Sequence, residues 1–539
     1  MEIDIFQITV LTGYAITLVV VAIYGLHRYH LVYLFLKHKG QQHVSPGTFN
    51  PLPNVTIQLP MYNEEMVARR IIDAACKLDY PRDKLQIQVL DDSNDGSELI
   101  AQEAVARWKA LGFDISYLHR TNRVGYKAGA LAAAMKDVKG GYLAIFDADF
   151  IPPVDILHNV LHHFVDDAIG MVQVRWDHLN RDASLLTRGQ AIFLDGHFVI
   201  EHTARNTSGR FMHFNGTAGV WRRECIEEAG GWQHDTLTED LDLSYRAQIR
   251  GWQFVYLPQF VAPAELPPEM VAFKQQAHRW TKGSFQTAIK LLPGILRSPV
   301  LPYRIKSEAF FHLTNTIVYP FVVLLTLLMY PAFILAEGPL KHHPFAGWLF
   351  GITLFVVASC SASTFFVYAQ VLLFGKRTGW RTVLHLPYLM ALGVGLSINN
   401  TRAVLEAIFT KKSGRNEFVR TPKYGLSDGD AAVTGADQAM AHRVASTQRS
   451  GQSSFLSPSR LFLPLIEIAF GIYMCVFIAI ALIYGYALGS IPFLLLFAAG
   501  YLYVGFSTIS VLWQMEQART APVAQGTFVP ELEPVRIER

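Results

Sequence analysis

Cysteine is scarce: there are four in 539 residues (76, 225, 360 and 475), and none forms a C-x-x-C pair. That pattern excludes a disulfide framework and a cysteine-based metal centre, and it implies reduced thiols. Charge is also low. Charged residues make up 17% of the chain, below the usual level for a soluble protein of this size, and the net charge is only +3. So small an excess gives no reason to expect nucleic acid as a partner. Two nucleotide signatures are missing from the polar part of the chain. Without G-x-x-x-x-G-K-[ST] a P-loop NTPase is disfavoured, and without G-x-G-x-x-G so is a dinucleotide enzyme. No internal repeat is evident.

What is present is apolar: 51% of the residues are hydrophobic. Phe6 to Leu26 carries no charge and is long enough to cross a bilayer. It follows an acidic start (MEID) and lacks a small-residue cleavage site, so it reads as an anchor and not a signal peptide. Further apolar runs occupy roughly 310–335, 347–374, 461–487 and 491–513. His27, Arg28, Lys37 and Lys39 after the first run place its C-terminal side, and the block from about 40 to 300, in the cytosol. A shorter run, Val383 to Ile398, has Lys376, Arg377 and Arg381 before it and Lys411, Lys412 and Arg415 after it. With both flanks cytosolic, it is expected to lie along the interface. The expectation is five spans, with six as the alternative.

Inside the cytosolic block, NVTIQLP (54–60), LQIQVL (85–90) and GYLAIF (141–146) read as buried strands. Helical patterns lie between them, one capped by Asn63 and one running from about 97 to Leu111. Strands alternating with helices predict a mostly parallel α/β sheet covered on both faces. Ligands bind beyond the carboxyl ends of such strands, and the acids collect there. Asp91-Asp92 ends one strand, and Asp147-Ala148-Asp149 ends another, with both carboxylates on one side if the strand continues. Either pair alone fits a plain turn. Two pairs on one edge favour hard oxygen ligands for magnesium or manganese bridging a substrate diphosphate. A third cluster, Thr238-Glu239-Asp240, opens a helical pattern that stops at Gly251. Thr238 or Asp240 could cap that helix, and a carboxylate there could also act as a general base.

These residues follow the order D, DxD, TED, QxxRW, the last being Gln276-Ala277-His278-Arg279-Trp280. With YKAGAL (126–131), FNGTAGVWR (214–222) and FVRTPKYG (418–425), the chain resembles family 2 glycosyltransferases of the cellulose-synthase-like type, among them mannan and glucan synthases. The resemblance implies a GT-A nucleotide-sugar domain within an α-helical membrane protein. It implies that Asp92 contacts the nucleoside and Lys127 the nucleotide. Asp147 and Asp149 would hold Mg2+ or Mn2+ with the diphosphate, and Gln276 and Arg279 would brace it. Asp240, beside Glu239, would be the catalytic base. Trp280, Gly216 and Thr217 would serve the acceptor sugar. Phe418, Thr421 and Lys423 match a gating loop, although Arg420 stands where the family has Val, and Ala277 also departs from the usual pattern.

The implied domains are a transmembrane helix over 1–30, the GT-A domain over 45–265, and interfacial helices over 266–305. A transmembrane pair with an interfacial helix (306–410), a gating segment with a disordered loop (411–458), a second pair (459–515) and a cytosolic tail (516–539) follow. The expected activity is processive, inverting polymerisation of a β-linked glucan, mannan or glucomannan, with 1,4 the expected linkage, from UDP-glucose or GDP-mannose onto a growing glycan. The alternative is transfer of one sugar to a lipid. A catalytically dead glycan exporter is disfavoured by the intact acids. The membrane would be a bacterial inner or plasma membrane, or the Golgi. Elsewhere, His312, Asn315 and Tyr319 near helical spacing fit a sugar channel or helix–helix contacts equally well. His158 and His162 read as an ordinary surface helix. The stretch 427–454 reads as a polar loop, and RIER in the tail does not match R-x-x-x-R, so no cyclic-dinucleotide-binding domain is expected.

Overall fold

The computed structural model describes residues 5–41, 43–337, 363–410, 420–425, 454–485 and 488–520. Seven strands form one mixed sheet in the order β3-β2-β1-β4-β6-β5-β7. They are β1 (Val55–Met61), β2 (Leu85–Asp91), β3 (Asp114–His119), β4 (Tyr142–Ile145), β5 (Ile169–His178), β6 (Gly219–Arg222) and β7 (Gln253–Ala264). Only β6 runs antiparallel to its neighbours, β4 and β5. The predicted, mostly parallel sheet is observed.

The apolar runs become strands because both sheet faces are covered. Along β4, Tyr142 and Ala144 join one core cluster while Leu143 and Ile145 join the other, following the two-residue period of a strand. Polar side chains within β1 and β2 survive burial by pairing across the register. Gln58 sits opposite Gln88 and donates to it at 3.0 Å, and Thr56 donates to Gln86 at 2.7 Å.

Two local expectations need correction. Asn63 does not cap the following helix, which begins only at Ala68. At φ +55° Asn63 occupies the left-handed region that Asn tolerates, and its side chain exchanges hydrogen bonds with Asn94, tying the ends of β1 and β2 together. The Asp147–Asp149 segment does not continue a strand either, because β4 stops at Ile145.

Among the described residues, five helical segments are long and apolar enough to cross a membrane: Ile5–His38, Tyr303–Leu335, Phe365–Phe409, Pro458–Tyr484 and Leu488–Thr520. Most of the predicted 347–374 run lies outside the described residues. The third segment is instead Phe365–Phe409, broken at Gly375 and at Trp380–His385 into shorter pieces. Its helix Leu386–Gly395 is the run expected at the interface. The predicted loop 427–454 also falls almost wholly outside the described residues.

Buried polar contacts bind the sheet domain to these helices. Arg205 donates to Glu308 at 2.9 Å, and the Tyr245 hydroxyl meets His312 Nδ1 at 2.7 Å. Lys274 reaches both oxygens of Glu467 at 2.7 and 2.8 Å. His312 thus serves the joint between domain and helix. His158 and His162 do not converge: His162 accepts the Phe49 N–H, and His158 lies 3.9 Å from Asp79.

Candidate active site

The carboxyl ends of β1, β2, β4, β5 and β7, with the turn entering β6, form one rim. Two open cavities lie along it. They share Lys127, Asp147, Asp149, Arg279 and Lys423, so these residues form a junction between two chambers.

In the first chamber each acid has a cationic partner. Asp92 accepts from Arg120 at 2.8 and 2.5 Å. Asp147 pairs with Lys127, and Asp149 accepts from Lys423 at 2.5 Å. Glu64 takes two hydrogen bonds from Arg420, both 3.1 Å. Burial pushes Glu64 up to about 7 against the pull of Arg420. Asp91 has a turn role: it accepts from the Tyr117 hydroxyl and from the Ser93 N–H, both at 2.9 Å.

Residues 420–425 cross this chamber as a strap. Arg420 holds the end of β1, Lys423 holds Asp149, and Tyr424 binds Glu265 and Glu269 at 2.9 Å each. Thr421, within the strap, is buried and lines the chamber. Phe418 lies outside the described residues.

The second chamber has a different character. Its walls include Phe150, Trp176, His178 and Trp280, with Gln276, Glu239 and Asp240. Gln276, Arg279 and Trp280 share one face of the helix Met270–Arg297 because positions three and four apart align. That helix can approach the Thr238 turn because residue 283 is glycine, where a Cβ would sit 2.5 Å from Thr238. The helix Glu239–Ile249 begins at this contact, so its first acids face the chamber. Thr238 holds the N-cap position without a side-chain cap bond.

Burial, then the charge of Glu239, pushes Asp240 up to about 7. Burial also raises Glu239, although Lys127 opposes it. Lys127 is raised despite burial, because Asp147, Glu239 and Asp240 surround it. Burial lowers Arg279 against the pull of the same acids.

Gly216 lines the second chamber and contacts the junction through Lys127. Its carbonyl accepts from Lys127 at 2.8 Å, and a Cβ there would meet Asp240 Oδ2 at 3.0 Å. At φ +82° the backbone itself favours glycine. Thr217, expected on the acceptor side, is fully buried, and its hydroxyl accepts the Asp147 N–H at 2.8 Å. It therefore shapes the Asp147 turn from behind the chamber.

The Asp147–Asp149 pair fits a hard divalent cation. Both carboxylates face the junction, and both attract ammonium groups there, as a magnesium or manganese site requires of its oxygens. Sequence reasoning missed Glu64, Arg120 and Arg123, whose guanidinium stacks 3.3 Å over the Tyr62 ring, and also Trp176, His178 and Asn215. The run HRTNRVGYKAG, with two arginines just before Lys127, carried a signal for Arg120 and Arg123.

Comparisons with known proteins identify similar sequences and a similar structure. The profile described as "Glycosyltransferase like family 2" matches residues 53–283. A probable glucomannan 4-beta-mannosyltransferase 9 of Oryza sativa subsp. japonica is 46% identical over 246 residues, covering 44% of this chain and 46% of the relative. Glucomannan 4-beta-mannosyltransferase 2 of Arabidopsis thaliana is 44% identical over 251 residues, covering 46% and 47%. The match thus spans about half the length of these curated relatives. Among solved structures, a mannosyltransferase from Pyrobaculum calidifontis in complex with GDP-Man and Mn2+ aligns with a TM-score of 0.49 at 20% identity, over 75% of this chain and 99% of that one. Residues 53–283, which carry the mostly parallel sheet, match the family 2 glycosyltransferase model.

Proposed function

We propose that this chain is a membrane-embedded, inverting hexosyltransferase that extends a β-1,4-linked mannan, glucan or glucomannan from GDP-mannose or UDP-glucose. One observation carries the reading: the acid pushed up to about 7, Asp240, abuts the cationic junction through Gly216. A carboxyl poised near neutrality suits a general base. The names of the two plant relatives support the polymer and the sugar.

In this reading the nucleotide diphosphate occupies the first chamber and the acceptor end the second. The acceptor hydroxyl attacks the anomeric carbon as Asp240 takes its proton. The bond from that carbon to the diphosphate oxygen breaks on the opposite face, so an α-linked donor gives a β-linkage. Arg279 and Lys127 stabilise charge on the leaving diphosphate. Trp280 offers a flat apolar face to the acceptor ring. Asp147 and Asp149 would hold the divalent cation, which when bound neutralises diphosphate charge. One base suffices, since the leaving group needs no proton, unlike the acid–base pair of a glycosidase. The sheet domain and residues 420–425 lie on the cytosolic side, and Lys423 closes the strap over the donor.

The test is to supply purified protein with radiolabelled GDP-mannose, UDP-glucose or both, and to size and digest the product. A polymer of many sugars cut by β-1,4-mannanase or β-1,4-glucanase is expected. A lipid bearing one or two sugars, with nothing longer at any donor concentration, overturns the proposal.

A further inference from the structure

Beside the acceptor chamber lies a cluster of histidines that the proposed reaction does not use. The ligand-capable ring atoms of His197, His202 and His213 all fall within 4.8 Å of one another. His197 and His202 belong to a π-helical turn, Gly196–His202. They are five residues apart, which in an α-helix would place them on different faces. The wider π turn returns the fifth residue to the same side, and such turns recur at functional sites.

The cluster is buried and poorly satisfied. His202 is fully buried, and neither of its ring nitrogens has a hydrogen bond of ordinary geometry. Asn215 is the polar neighbour that eases this. His213 Nδ1, Asn215 Oδ1 and the Tyr256 hydroxyl are orphaned at the same place. Buried polar atoms are nearly always paired, so this concentration calls for an occupant.

The positive charge beside the cluster is paired. Arg205, the buried cation nearby, is matched by two carboxylates, Glu201 and Glu308. Glu201 also binds His197 Nδ1 at 3.0 Å, which leaves Nε2 as that ring's lone-pair nitrogen. A carboxylate behind a histidine is the usual outer support of a metal ligand. Burial holds His202 and His213 well below the usual histidine range, so both are neutral and able to ligate.

We propose that His197, His202 and His213 form a site for a borderline transition-metal ion of the zinc(II) class, separate from the Asp147–Asp149 site. Three imidazoles suit zinc, cobalt, nickel or copper and not magnesium. Tetrahedral Zn–N bonds of ~2.0–2.1 Å put ligand nitrogens about 3.4 Å apart, so the rings need to close by about 1.4 Å at most. The ion would tie the π turn to the segment leading through Asn215 to Gly216. Asn215 Nδ2 now lies 3.3 Å from His197 Nε2 and 3.1 Å from His213 Nε2. It also lines the acceptor chamber, so the ion would fix one wall of that chamber.

The experiment is a cobalt(II) titration of the purified, chelator-treated full chain, read by visible d–d absorption and by bound metal per chain. One cobalt with the intense bands of low coordination is expected, displaced by zinc. Asp149→Ala retains it. His202→Ala abolishes it, and His197→Gln, at a less buried position, weakens it by at least about tenfold, the scale on which even an outer partner counts. Thermal melting checks folding: zinc should raise the melting temperature of the wild type and not that of a folded His197→Gln or His202→Ala protein. The proposal is overturned by absence of such bands in the wild type, which would leave a water-filled histidine cluster. It is equally overturned by loss of the bands in Asp149→Ala, or by wild-type titration in folded His197→Gln.

Discussion

The two chambers meet at one junction and treat their acids in opposite ways. In the first, Asp92, Asp147 and Asp149 each face a cation on a fixed partner. In the second, Glu239 and Asp240 stand side by side at a helix start, with burial raising both and the charge of Glu239 raising Asp240 further. Acids held against cations stay available for a metal–diphosphate. Acids crowded together hold a proton near neutrality and can pass it on. In the proposed function the same residue type thus gives a binding surface on one side and acid–base chemistry on the other, set by burial and by the neighbours together.

Asp240→Asn gives the largest expected break in that contrast. Removing a general base typically costs ~10²–10⁴-fold in rate, while nucleotide-diphosphate affinity, measured by calorimetry, should stay close to wild type. An equal loss of affinity would place Asp240 in the donor site. Lys423→Ala comes next. A charge-assisted contact of about 1.5–3 kcal/mol corresponds to roughly ten- to hundredfold in kcat/KM, seen mainly in donor saturation curves. Arg420→Ala should have the smallest effect. The Arg420 side chain is partly exposed, so ~1 kcal/mol, about fivefold in donor KM, is expected. A larger loss than for Lys423→Ala would make Glu64–Arg420, and not Asp149–Lys423, the main latch of the strap.

The sequence disclosed the first chamber's acids better than their partners. Strands β1, β2 and β4 were legible because continuous apolar runs end in acidic turns. β6 was not, since four residues pairing antiparallel leave no period to read. The QxxRW face was legible because helical spacing alone aligns it. Arg120 and Arg420 were missed as partners because their acids lie 28 and 356 residues away in the chain. Such pairings depend on the folded rim. Thr217 was placed on the acceptor side, although its hydroxyl is committed to Asp147. The histidine cluster escaped notice because His197 and His202 align only in a π turn, which periodicity does not reveal.

The most direct test of the contrast is the pH dependence of kcat/KM, which reports the free enzyme. Asp240 must be ionised to accept a proton, so activity should rise with pH along a limb centred near 7. Glu239→Gln removes the negative neighbour that helps to raise Asp240, so its limb should move to lower pH. A profile flat across neutrality in the wild type, or a limb that stays in place in Glu239→Gln, would contradict the assignment of the crowded acid pair as the seat of base catalysis.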